Sequence, residues 1–128
     1  MYLALLLSPE SEAELRRHAP NAPTDLHLTI IHSKNELVVG LPLPSVALPI
    51  IGQGVSTDSF GPPTKRVKVL KINSDPFWEL RRQAEAILRT RYIPWSTQWN
   101  FSPHLTLGKS GYNGSLPIAL TFDRLEWR

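Results

Sequence analysis

His27-Leu28-Thr29-Ile30 recurs almost unchanged as His104-Leu105-Thr106-Leu107. In an extended strand successive side chains point to opposite faces, so each histidine shares a face with the threonine two residues on, while the leucines point the other way. Each copy therefore offers one titratable imidazole beside one hydroxyl. Two copies supply an acid, a base and two hydroxyl donors, which is sufficient equipment for cleaving a phosphodiester without a metal. Threonine fills eight of the 128 positions, so a histidine meets one two residues later roughly one time in sixteen by chance. Two of the four histidines do so here, with a leucine between and a branched aliphatic after, and coincidence explains that poorly.

The surrounding residues predict strands in both places. Leu26, Leu28 and Ile30 alternate with Asp25, His27 and Thr29, and Phe101, Pro103, Leu105 and Leu107 alternate with Ser102, His104, Thr106 and Gly108, the period of a half-buried strand. Pro103 has no amide hydrogen for a ladder and belongs at the strand's start. The apolar run Tyr2 to Leu7 reads as a buried strand, being too short for a signal peptide's core or a membrane span. Ser8-Pro9 opens a helix in which Ser11 and Glu14 form a capping box, Arg16, Arg17 and His18 occupy its end, and Pro20 and Pro23 stop it.

Between Ser33 and Pro49 prolines interrupt every apolar stretch, which leaves loop and short extended pieces. Strands are predicted over Leu48 to Val55 and Lys65 to Asn73, separated by the turn Gly61-Pro62-Pro63. Arg66, Lys68 and Lys71 read as a basic strand edge. Asp75-Pro76 opens the clearest helix, with Phe77, Leu80, Ala84, Ile87 or Leu88, and Tyr92 at helical spacing, ended by Pro94. Asn113-Gly114 is a hairpin signal joining the second motif strand to a final strand through Ile118, Leu120 and Phe122. Each half thus places a helix ahead of its motif strand, which predicts two similar lobes presenting their H-x-T faces to one another.

With 128 residues and no cysteine, one folding unit stabilised by packing is expected. Disulfides, iron-sulfur clusters and thiolate zinc sites are excluded. Fourteen basic against eleven acidic residues give a net charge of +3, a mild tilt toward anionic partners. A monomer in the cytoplasm, without membrane contact, is the expectation.

The two motifs resemble those of the 2H phosphoesterases, a family defined by two H-hydrophobic-[ST]-hydrophobic motifs. It includes bacterial RNA 2',3'-cyclic phosphodiesterases (also called 2',5'-RNA ligases), plant and animal cyclic phosphodiesterases, and viral enzymes that degrade host signalling oligonucleotides. HLTI at 27–30 and HLTL at 104–107 both satisfy the pattern. The resemblance spans nearly the whole chain, although the proline-rich stretch replaces the helix that members commonly carry after the first motif. It implies an α+β fold of two pseudosymmetric lobes, each of antiparallel sheet plus helix, with the active-site groove between them.

It further implies a phosphodiesterase without metal or cofactor, with His27 and His104 as catalysts and Thr29 and Thr106 holding the phosphate. The substrate would be an RNA end, a cyclic nucleotide or a small oligonucleotide, cleaved at a 2',3'-cyclic phosphate or a 2',5' or 3',5' linkage. Two further readings stand beside this one: a degrader of oligonucleotide immune signals, such as a viral counter-defence enzyme, and a non-catalytic RNA-binding module. Which histidine is acid and which is base is open. Trp95 and Trp99 are candidates for stacking on a base, and Lys109 for adding charge near the phosphate. His18 and His32 read as surface residues.

Overall fold

The computed structural model describes residues 1–128 as six strands and two helices in the order β1 (Tyr2–Leu7), α1 (Pro9–His18), β2 (Leu28–His32), β3 (Ile50–Phe60), β4 (Val67–Asn73), α2 (Pro76–Thr90), β5 (His104–Gly108) and β6 (Ile118–Trp127). The order strand, helix, strand, strand therefore occurs twice. All six strands close into one antiparallel barrel with the ring order β1-β2-β5-β4-β3-β6.

The ring overturns the expected α+β pair of lobes with a groove between them. The third strand of each half is hydrogen-bonded to the first strand of the other: β3 pairs with β4, and β6 pairs with β1. β3 and β6 also pair with each other, from Ile50↔Phe122 to Gly54↔Ile118. Alternating hydrophobicity marks which segments are strands, but closure is set by long-range partners that the pattern does not name. The same partners correct two further expectations. β5 and β6 are not neighbours, so Asn113-Gly114 does not turn a hairpin, and β4 is paired on both sides, so Arg66, Lys68 and Lys71 do not line an edge.

One face of the sheet is apolar. Leu3, Leu5, Leu7, Leu28, Ile30, Leu70, Ile72, Leu105 and Leu107 join Leu15 of α1 and Phe77, Leu80, Ala84 and Leu88 of α2 in one continuous core. The two helices lie over this face, and Phe77 meets Phe122 edge-on with ring centres 5.6 Å apart. β3 runs close beneath α2 because Gly52 has no side chain: a Cβ there would come within 2.6 Å of Ile72 and 3.1 Å of Phe77. No helix is long and apolar enough to cross a membrane.

Helix ends explain two more departures. Ser8, not Ser11, caps α1, its hydroxyl accepting from the Ser11 amide at 3.2 Å with Pro9 in the first turn. The Ser11 hydroxyl instead accepts from the Thr121 amide at 2.8 Å, tying α1 to β6. At the far end of α2, Tyr92 is not on the apolar face. It takes the left-handed conformation, φ 57°, and lets the Ile93 amide reach back to the Leu88 carbonyl at 2.9 Å, a Schellman-type closure. Ile93 is buried as a result, while Tyr92 is 94% exposed.

β2 and β5, the two motif strands, are adjacent but share only the pair Leu28↔Leu105, the shortest ladder in the ring. Both leucines are completely buried, so this seam is held mainly by side-chain packing. Leu28→Ala is expected to cost about 2–5 kcal/mol, the usual range for a fully buried leucine. Chemical denaturation at neutral pH would measure it, and a loss under about 1 kcal/mol would show that the seam is not held this way.

Candidate active site

The Leu28↔Leu105 pair fixes where the motif side chains stand. The antiparallel sense of that single pair directs Thr29 toward His104, and His27, the residue just before β2, toward Thr106. All four side chains project from the face opposite the two leucines. The histidines then occupy diagonal positions, with Cβ atoms somewhat under about 7–8 Å apart on a regular sheet. All four are half-buried.

The motifs are alike in backbone as well as in sequence. Ala4 pairs with Thr29 and Leu3 with Ile31, leaving Ile30 as the extra residue of a β-bulge. Val69 pairs with Thr106 and Lys68 with Gly108, leaving Leu107 as the extra residue of another. Each bulge falls at the fourth residue of its motif, where it bends the strand and re-aims the neighbouring side chains. The freed carbonyl of Ile30 accepts from the Arg81 guanidinium of α2 at 3.0 Å, and Arg81 also contacts Glu85 and the ring of Phe101.

Ala4, Leu6 and Val69 are the buried apolar side chains that stand outside the continuous core. The pairs Ala4↔Thr29 and Val69↔Thr106 put one beside each threonine on the motif face. Each hydroxyl thus sits against an apolar neighbour, where its interaction with an anion is less screened by water.

Each imidazole lies against an aromatic ring, with the residue two positions before it near its Nδ1. Tyr2 stacks on His27 with ring centres 4.9 Å apart, and Phe60 meets His104 edge-on at 4.8 Å. His104 Nδ1 lies 2.7 Å from the Ser102 carbonyl. An oxygen with no proton of its own must receive one, so Nδ1–H donates and Nε2 is left for substrate. His27 Nδ1 is buried and makes no hydrogen bond, with Asp25 Oδ2 at 3.5 Å. Arg128 donates to the other Asp25 oxygen at 2.5 Å. That hydrogen bond, with the nearby His27 adding to it, holds the Asp25 carboxyl below its ordinary value of 3.8. Arg16 steadies the approach to the first motif by donating to the carbonyls of Ala22, Pro23 and Thr24.

Lys71 pairs with His104 in the β4–β5 ladder and so shares the motif face, with its ammonium 5.7 Å from the centre of the Phe60 ring. Sequence reading placed it on an edge, and nothing in the sequence links Tyr2 or Phe60 to the motifs, because their approach comes from ring closure. The remaining candidates stand apart. Trp95 packs against the core beneath Arg89, Trp99 is 78% exposed, and Lys109 is exposed beyond the end of β5. His32 is exposed and meets the Ser96 hydroxyl, while His18 contacts the Asn113 carbonyl and the Tyr112 ring. No group of three or more histidine, cysteine, aspartate or glutamate side chains is placed to hold a metal ion.

Barrel and face together define a closed antiparallel β-barrel carrying two imidazole–hydroxyl pairs related by an approximate two-fold. No protein-family model and no curated protein matches the chain. Among solved structures it is similar to the crystal structure of TT0787 of Thermus thermophilus, with a TM-score of 0.61 and 20% identity, over 98% of this chain and 81% of that one. At that identity the likeness speaks for the fold alone.

Asp25 also sets a pH dependence. Its folded pKa lies below the unfolded one, so its contribution to stability is complete above the unfolded value and fades as pH falls through the folded value. The stability difference between wild type and Asp25→Asn is therefore expected to be larger at about pH 7 than at about pH 2.5. Urea titrations at both pH values would check this, and a pH-independent difference would contradict it.

Proposed function

We propose that this protein is a metal-independent phosphodiesterase of the 2H phosphoesterase type, acting on RNA ends or small oligonucleotides that carry a 2',3'-cyclic phosphate or a 2',5' or 3',5' linkage. The observation that carries the reading is the antiparallel Leu28↔Leu105 pair, which brings the two motifs to one seam with Thr29, His104 and Thr106 beside it and His27 directly before β2. Binding an anion needs hydroxyls and positive charge. It does not need two imidazoles with Nδ1 turned to the protein, and that feature favours catalysis over a binding module.

In this reading a phosphate sits between the two rings. One neutral imidazole takes a proton from water, or from a ribose hydroxyl, as its oxygen attacks phosphorus, and the other, protonated, gives its proton to the departing oxygen. The diagonal placement suits in-line attack and departure. Thr29 and Thr106 donate to the non-bridging oxygens as negative charge grows on them.

Incubation with 2',3'-cyclic nucleotides, 2',5'-linked oligoadenylates and 3',3'-cyclic dinucleotides in the presence of a chelator tests the proposal, with products read by chromatography. Turnover of at least one class is expected. His27→Ala and His104→Ala should each lose on the order of 10² to 10⁴ in rate while remaining folded, and Thr29→Ala or Thr106→Ala on the order of 10². Undiminished turnover in either histidine variant would end the two-histidine mechanism. Tight RNA binding with no turnover of any substrate would favour the binding module.

A further inference from the structure

The motif face does not stop at the histidines. Leu6 follows Ala4 by two residues on β1 and so shares that face. It lines a cavity of about 180 Å³ whose walls include Glu12 of α1, Thr24 and Asp25 ahead of β2, Arg124 of β6, and Arg128 just beyond that strand. Asp25 joins this cavity to the motif site, since its Oδ2 also lies 3.5 Å from His27 Nδ1.

The side chains around the cavity are only partly committed to one another. Arg124 donates from Nε to Asp123 and from one Nη to the Leu7 carbonyl, both at 3.1 Å, and its other Nη has no partner. Arg128 donates to Glu126 and to Asp25. Glu12 has Arg16 at 3.7 Å, beyond hydrogen-bond reach, which leaves both of its carboxylate oxygens without a donor. Three guanidiniums, Arg16, Arg124 and Arg128, meet four carboxylates, Glu12, Asp25, Asp123 and Glu126. That balance disfavours a second phosphate and suits a neutral ligand carrying donors and acceptors together. The cavity is also smaller than the roughly 300–1,000 Å³ of sites that enclose a whole ligand, so it takes the edge of one ring system.

We infer that this cavity reads the base of the nucleotide substrate and selects guanine, an inference that rests on the phosphodiesterase reading above. Guanine is the RNA base whose Watson–Crick edge sets two N–H donor groups side by side, at N1 and at N2, and these match the two oxygens of one carboxylate. Its O6 and N7 are the acceptors that guanidiniums favour. Glu12 receives the N1 and N2 hydrogens, and the unpartnered Nη of Arg124 donates to O6. Adenine is rejected because its N1 is a lone pair and would face the Glu12 carboxylate, acceptor against acceptor.

Binding tests this without any turnover. Guanosine, inosine and adenosine are compared as their 3'- and 5'-monophosphates, which are not phosphodiesters and which carry the base on either side of phosphorus. Followed by NMR titration of wild type, guanosine is expected to bind on the order of tenfold more tightly than adenosine in at least one series, with inosine, which lacks the N2 amine, between them. Glu12→Gln and Arg124→Gln should each lower the guanosine-to-adenosine ratio to less than about threefold. A ratio taken within one variant is not moved by a general loss of structure.

Equal affinity for guanosine and adenosine in both series, or a full ratio retained in Glu12→Gln, overturns the inference. Perturbation of the Glu12 and Arg124 amides by inorganic phosphate alone overturns it too, marking a phosphate subsite. A wild type that turns over none of the substrates above but keeps a guanosine preference lost in the variants supports the cavity and removes the phosphodiesterase reading, whereas an active wild type without that preference removes the cavity alone.

Discussion

The functional face depends on one very short ladder, the Leu28↔Leu105 pair between β2 and β5. It is the point where the two copies of the motif meet, and its antiparallel sense directs each histidine toward the other copy's threonine rather than toward its histidine. Leucine at the centre of both motifs is thereby explained. The two side chains lock the seam from the apolar face while their neighbours on either side stand on the opposite face. Bulges follow at Ile30 in the β1–β2 ladder and at Leu107 in the β4–β5 ladder, each bending its strand just after the motif residues.

Around that pair the protein arranges rigidity and asymmetry from different sources. Rigidity comes from aromatic rings against both imidazoles and from backbone anchors such as Arg16 on the Ala22 to Thr24 carbonyls and Arg81 on the Ile30 carbonyl. Asymmetry comes from single residues at equivalent places, aspartate against serine before the histidines and Lys71 beside one histidine alone. Duplicated backbone with unequal side chains gives two like groups unequal surroundings.

Much of this was legible in the chain because it is local. The H-x-T spacing, the alternation of Leu26, Leu28 and Ile30 and the prolines opening both helices are written in neighbouring residues, and they mark the helices and the strands, although β2 starts only at Leu28, leaving Leu26 and His27 just ahead of it, and β5 starts at His104. What was not legible depends on partners far apart in sequence. The lobes of the sequence reading become one ring because β3 and β6 cross to the other half. Lys71 moves from a supposed edge to the side of His104, and Asn113-Gly114, a strong hairpin signal, joins strands that are not neighbours. Ser11 and Tyr92 show a lesser limit, since several side chains can satisfy the same helix end and tertiary contacts choose among them.

The position of β1 has one more consequence. It is flanked by β2 on one side and by β6 on the other, with Leu3 facing Trp127 across the ladder. Strand pairs so distant in sequence carry a large loop-closure cost before they are rewarded, and they form late and slowly. A chain emerging from the ribosome therefore has both histidines translated before the strand that closes the ring exists. Until β6 arrives, β1 presents an unpaired edge on one side, an aggregation hazard that ring closure removes.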